Sequence, residues 1–207
     1  MMSNPETFKR TSATPVNVLE TERLNLRQLD AGDAEFILEL LNEPSFLHHI
    51  GDKGVRTLAD AARYIATGPV ESYARHGFGL WLVELKEAGV GVPAGICGLV
   101  KRDALPDADI GYAFLPRFWS RGYAREAADA VLGYASGALG LPRVLAIVNA
   151  DNTGSIKVLE KIGLNFDRLV RLSDDAPEIM LFASDARAGD GAGGGRLASA
   201  GAEGLRP

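Results

Sequence analysis

Residues 144–148, VLAIV, contain no polar member and lie between a helical pattern ending at Leu139 and a helix opening at Asn152. Side chains alternate between the two faces of a strand, so a strand that is apolar throughout must be covered on both sides. This segment restricts the chain to a sheet with helices packed against it. The flanking pattern supplies such helices. From 122 to 139 the apolar positions Ala124, Ala127, Ala128, Val131, Leu132, Ala135 and Leu139 fall on one helical face. The second helix starts at Asn152, a good N-cap residue, and ends at Gly163, which suits a C-terminal cap.

Upstream, Leu24, Leu26 and Leu29 predict a short strand ending at Asp30. Asp30 can cap a helix that carries Ala34, Ile37, Leu38 and Leu41 and is stopped by Pro44. Thr57 with Asp60 has the form of a capping box for a helix through Ile65, and another helix is expected over 70–75. Strands are expected at 78–85 and 96–101, separated by a turn region containing Gly89, Gly91 and Pro93, and again at 109–115, closed by Pro116. Residues 166–172 and 178–183 read as a final hairpin around SDDAP. The expected order, with the short 70–75 segment left uncounted, is β-α-α-β-β-β-α-β-α-β-β, a mixed α/β sandwich without internal repeats.

The two ends differ from this middle. Residues 1–17 are polar and aperiodic, a flexible extension. Residues 184–207 hold 7 Gly and 6 Ala among 24 positions, too little apolar surface to offset ordering entropy, and are expected to be a disordered tail. The GDGAGGG run within them lacks the preceding strand and following helix that a phosphate loop needs. One domain is therefore expected at 18–183.

Composition excludes several classes. A net charge of −5 argues against a general basic surface for duplex nucleic acid, though it leaves room for a local anion pocket. Cys97, the single cysteine, can form no internal disulfide and reads as a buried small hydrophobe. Three histidines and one cysteine cannot make a standard zinc site, so no metal is expected. The longest uncharged stretch, 130–142, has 13 residues, too few to span a bilayer, and the N-terminus has no apolar signal region. A cytoplasmic protein is expected.

Two segments carry chemistry. In GYAFLPRFWSRGYARE (111–126) a strand ends at a proline and a helix starts at Gly122. The first amides of a helix lack intrahelical partners, and the helix dipole makes that end positive. Gly122 and Ala124 let a ligand approach the backbone, and Arg117, Arg121 and Arg125 flank the spot. The segment reads either as a diphosphate cradle or as a capped helix with three solvated arginines. In NADNTGSIKVLEKIGLNF (149–166), Asn152 and Ser155 form an N-x-x-S pair on the first turn of a helix. Taken alone, Asn152 is simply an N-cap.

The string WSRGYAREA (119–127), the preceding DIGY (109–112) and the later N-x-x-S-x-x-x-L-E-K-x-G (152–163) together resemble the GNAT superfamily of N-acetyltransferases. Within it they are similar to the RimJ/RimL branch of ribosomal-protein N-terminal acetyltransferases. TERLNLRQLDAGDA (21–34) is similar to that branch's first strand and helix, so the likeness covers about 21–183. The resemblance implies a mixed, mostly antiparallel sheet flanked by helices, with splayed central strands, and acetyl-coenzyme A as donor. Loop amides of 117–124 (Arg117, Trp119, Arg121, Gly122, Tyr123 and Ala124 among them) would hold the pyrophosphate. The strands around 109–115 and 144–148 would part to admit the pantetheine arm along Ala113, Phe114 and Leu115. Asn152 and Ser155 would contact that arm or the thiol. Two positions depart from the family: Trp119 replaces the usual Gln or Arg of the loop, and Leu159 stands where many relatives carry a tyrosine general acid.

Direct attack by an amine on a thioester needs a neutral amine and a stabilised oxyanion. An α-amine of pKa ~8 costs about 1.4 kcal/mol to deprotonate at pH 7, a lysine roughly 4–5 kcal/mol. A weak base therefore suffices for N-termini and similar amines. Asp109 is the candidate base, with Glu84 in reserve; Ser155 can donate a hydrogen bond to the leaving sulfur; and a backbone amide near 113–115 would meet the oxyanion. His48 and His49 read as loop histidines or substrate ligands, and Trp81 and Tyr112 as core or groove wall. The expected acceptor is a peptide α-amine or small amine, weakly favoured if cationic. The expected assembly is a monomer or homodimer. A non-catalytic acyl-CoA-binding sensor with this fold is the competing reading. A nucleotide-dependent enzyme using the same helix end is a third reading, disfavoured by the lack of a P-loop lysine or dinucleotide fingerprint.

Overall fold

The computed structural model describes residues 16–87 and 90–185. The flexible extension expected at 1–17 and the disordered tail expected at 184–207 lie, except for residues 16, 17, 184 and 185, outside the described residues. Strand β1 (Asn17–Glu20) leads into β2 (Leu24–Arg27) and, through a 3-10 turn, α1 (Ala34–Asn42), α2 (Pro44–His49) and α3 (Leu58–Ile65). A π-helical turn joins α3 to α4 (Glu71–His76). Then come β3 (Leu80–Glu87), β4 (Val90–Val100), β5 (Asp109–Phe114), α5 (Tyr123–Gly137), β6 (Leu145–Val148), α6 (Thr153–Lys161), β7 (Leu164–Val170) and β8 (Ile179–Ser184). The eight strands form one sheet in the order β1-β2-β3-β4-β5-β6-β8-β7, antiparallel throughout except for the parallel neighbours β5 and β6.

Alternation along the strands divides the core into two layers. Trp81, Val83, Cys97, Leu99, Ile110 and Phe114 point to the side covered by α5 and α6, whose Ala127, Ala128, Val131, Ala135 and Leu159 are buried there. Leu82, Ile96 and Leu115 point to the opposite side, where Ile37, Leu40, Leu41, Ala61 and Ile65 cover them from α1 and α3. The apolar run at 144–148 behaves as its composition requires. Val144, Ala146 and Val148 pack under the α5 side, while Leu145 joins Leu105, Leu181 and Ala183 on the other. The small residues of α5 bring its axis close to the sheet, and Trp81 meets Tyr134 edge-on at 5.6 Å.

Three expectations change. Residues 17–20 form β1, which pairs with β2 although its composition carries no apolar alternation. Pro44 ends α1 but also occupies the first turn of α2, where its missing N–H costs nothing. Gly91 and Pro93 belong to β4 rather than to a turn. The ladder with β3 shifts between Val83 and Glu84, so Val83 faces Gly95 and Glu84 faces Pro93, and the irregularity leaves room for a residue without an amide hydrogen. The sheet runs from Asn17 to Ser184, one residue beyond the expected domain at each end.

Candidate active site

β5 and β6 start together and then part. They pair at Asp109↔Leu145 alone, with Leu145 N–H donating to Ala108 O at 2.9 Å, whereas β4 and β5 pair at six positions. Successive amides of a strand point to opposite edges. Leu115 N–H donates to Ala94 O on the β4 side at 3.0 Å, and the Trp119 indole N–H donates to Phe114 O on the other at 2.7 Å. Tyr112 and Phe114 therefore turn their amides toward the widening gap, while Leu115 spends its own on β4.

The loop at the open end of β5 is built around two left-handed residues. Ser120 has φ 59°, and Gly122, the N-cap of α5, has φ 83°. No side chain caps this helix, so its first amides face outward without an internal acceptor. A strap from the β1–β2 turn fixes the helix mouth. Arg23 Nε donates to Glu126 Oε2 at 2.7 Å and its Nη1 to Arg121 O at 3.0 Å, while Arg23 N–H and Thr21 Oγ1 both donate to Glu126 Oε1. The guanidinium also lies 4.7 Å from the Tyr123 ring centre. Desolvation acts to raise the Glu126 carboxyl, but the bonds from Thr21 and Arg23 prevail and hold it below its ordinary value. No local pattern announces this strap, because Arg23 and Glu126 are 103 positions apart.

Across the gap, Asn152 Oδ1 accepts from Ser155 N–H at 3.1 Å, the cap expected of the N-x-x-S pair. The Tyr112 hydroxyl reaches over from β5 to donate to Ser155 O at 3.0 Å, so Tyr112 forms a wall between strand and helix. Burial pushes its phenol upward in pKa. Leu159, one turn beyond Ser155, is buried in the core.

The structure gathers Phe114, Trp119, Gly122, Tyr123 and Ala124 at one end of the gap and Asn152 and Ser155 along its far wall. The other residues singled out lie elsewhere or are engaged. Ala113 and Leu115 point to the α1–α3 side of β5. Arg117 pairs with Glu39 of α1, and Arg121 is exposed. Asp109 sits at the closed end where β5 meets β6, 1% exposed and bound to Arg102 Nε at 2.9 Å. Burial raises its carboxyl above the ordinary value, against the opposing pull of Arg102. It is no solvated edge carboxylate. Glu84 lies two strands from the gap on β3 and is held by Arg27 at 2.9 Å, beside the Arg27–Asp33 pair, so the structure does not bring it to the site. Cys97 is fully buried, and burial raises its thiol far above the usual range.

This fold is shared with known proteins. The profile of the acetyltransferase (GNAT) domain matches residues 23–165. The chain belongs to the GNAT acetyltransferase family. Among its GNAT relatives is the uncharacterized N-acetyltransferase YoaA of Bacillus subtilis (strain 168), 30% identical over 158 residues that cover 74% of this chain and 86% of YoaA. An acetyltransferase from Agrobacterium tumefaciens str. C58 superposes with a TM-score of 0.68 at 26% identity, over 83% of this chain and 94% of that one. Mycobacterium smegmatis RimJ, solved in complex with CoA-disulfide, shares the fold with a TM-score of 0.65 at 23% identity, over 77% and 80% of the two chains. The relatives are named acetyltransferases, and this GNAT chain is of the same enzyme class. No helix among the described residues is long and apolar enough to cross a membrane.

Proposed function

We propose that this GNAT protein transfers an acetyl group from acetyl-coenzyme A to a primary amine, a peptide α-amine or a small amine, by direct attack in a ternary complex. The observation that carries the proposal is the single pairing between β5 and β6 beside an uncapped α5. The gap offers backbone amides along one rim and a positive helix end at its mouth, which suits a chain ending in a diphosphate. Gly122 has no Cβ to close that mouth.

In this reading the amides of 122–124 hold the pyrophosphate, and Trp119, fixed by its bond to Phe114 O, keeps the loop in shape. The arm lies between β5 and α6, near Asn152 and Ser155. As the amine nitrogen bonds to the thioester carbonyl carbon, negative charge grows on the carbonyl oxygen, and the gap-facing Phe114 N–H supplies the donor. Collapse breaks the C–S bond, and the Ser155 hydroxyl offers a hydrogen bond to the departing sulfur. A thiolate of pKa ~8.5 leaves without a strong acid, so Leu159 in place of a tyrosine is tolerable. The amine enters neutral and the proton it sheds after attack leaves to solvent water, since Asp109 stands at the closed end of the gap, buried and held by Arg102. The competing reading, a sensor that binds acyl-CoA without turnover, draws on the absence of an acid at Leu159.

A thiol-release screen against α-amine peptides, polyamines, aminoglycosides and amino acids separates the two. Acetyl-CoA-dependent thiol release with one amine class supports transfer. Saturable acetyl-CoA binding with no release across the panel would favour the sensor.

A further inference from the structure

Two of the three histidines of this chain stand side by side at the end of α2, and the fold carries an aspartate to His48 from 103 positions away. His48 Nε2 lies 2.9 Å from Asp151 Oδ2, and His49 Nδ1 lies 3.8 Å from Asp151 Oδ1. One donor atom from each of the three residues can be chosen so that all lie within 4.8 Å of one another. The His49 nitrogen is buried and has no hydrogen-bond partner among the described residues. A buried polar atom without a partner requires an explanation. Here it faces a carboxylate oxygen at a distance too long for a hydrogen bond. Two ligands on a tetrahedral ion, each with a bond of about 2.0–2.2 Å, stand roughly 3.3–3.5 Å apart, so modest side-chain adjustment brings the three donors to one centre.

We propose that His48, His49 and Asp151 form a binding site for a divalent transition ion of the zinc class, with water completing the coordination. Two neutral imidazoles and a carboxylate suit zinc, cobalt or nickel better than the oxygen-seeking magnesium or calcium. Counting cysteines and histidines excludes the standard structural zinc site but leaves out carboxylates, and so it passes over this set. The position gives the ion a role. α2 already touches the loop after β6 through Asn149 Nδ2, which donates to His49 O at 3.0 Å. α1 touches the loop after β5 through Glu39 and Arg117. An ion at the cluster pins the α2 end of this bridge, so the α1–α2 segment is anchored on both sides of the gap's open end.

The test uses the full-length chain without an affinity tag, titrated with zinc chloride by calorimetry and with cobalt chloride by visible absorption. The site predicts one ion per chain, ligand-field bands from cobalt, and a thermal shift with zinc but not with magnesium. His49→Ala and Asp151→Asn should each weaken zinc binding by more than the 10–100-fold that loss of a mere supporting contact to a ligand costs. His76→Ala and Cys97→Ser, which remove the chain's other histidine and its cysteine, should leave it unchanged. Saturable zinc binding that survives the His48→Ala/His49→Ala double variant would overturn the assignment. So would the absence of saturable binding by the wild-type chain at zinc concentrations of about 100 µM, roughly −5 to −6 kcal/mol on the affinity scale.

Discussion

At the scale of single residues the proposed chemistry rests on positions where a side chain is small, missing or unusually placed. Gly122 combines a φ of 83° with a flank where an added Cβ would meet only Arg23 Nη2, at 3.4 Å. Gly122→Asp adds both backbone strain and a negative charge at the proposed pyrophosphate site, and acetyl-CoA affinity should fall at least ten-fold, about 1.4 kcal/mol, by calorimetry. Affinity equal to wild type would place the cofactor elsewhere. Asp109 gives a second prediction. Burial raises its carboxyl, so the folded chain holds that proton more tightly than the unfolded chain does. Its contribution to stability is therefore full below the unfolded carboxylate range and is lost as pH rises from that range through the higher folded value. Asp109→Asn should flatten the fall in Tm on that ascending limb. Because Asp109 stands at the closed end of the gap, Asp109→Asn should leave kcat close to wild type, and a large fall in kcat at constant KM would make it the base instead. An unchanged kcat would confine it to a structural role.

At the scale of elements, close approaches decide what can be changed. A Cβ on Gly98 would lie 2.0 Å from Gly79 O, backbone against backbone. Neither atom can swing aside, so Gly98→Ala should cost about 3 kcal/mol or more, read as a lowered denaturation midpoint. The strap from the β1–β2 turn to α5 predicts a different signature. Arg23→Ala removes donors to Glu126 and to Arg121 O at a partly exposed site, so stability should fall by only about 1 kcal/mol. The acetyl-CoA KM should rise several-fold while kcat stays near wild type, measured by steady-state thiol release. Much of this scale was legible in the chain. The residues 144–148 demanded a covered strand, the alanine face of α5 declared its sheet-facing side, and Thr57 with Asp60 formed the expected capping box at α3. Less was visible where partners are distant in sequence. Neither the strap, the Tyr112 bridge to Ser155, nor the Asp151 approach to His48 and His49 leaves a local pattern. Pro93 and β1 escaped because strand assignment from periodicity cannot anticipate a ladder irregularity or a short polar edge strand that borrows its order from β2.

At the scale of the molecule, the sheet has one weak seam. The ladder from β1 to β5 and the β6-β8-β7 ladder are each well paired, and between them stands the lone Asp109↔Leu145 pair. Helices α5 and α6 with the core beneath them, and the contact of α2 with the loop after β6, carry the rest of the connection. Acetyl-CoA at about 100 times its dissociation constant should stabilise the fold by about 2.7 kcal/mol, seen as a rise in Tm that Gly122→Asp diminishes. A ligand of any class that binds outside the seam would leave the exchange of the amide hydrogens of Tyr112 and Phe114 untouched, whereas the donor proposed here should slow it.

That seam gives the substrate a second identity. A guest whose own amides align with the bare rims of two diverging strands does the work of an absent ninth strand. Under the proposed function each cycle would begin by finishing the sheet and end by taking it apart again, so turnover and the tightness of the scaffold would rise and fall together.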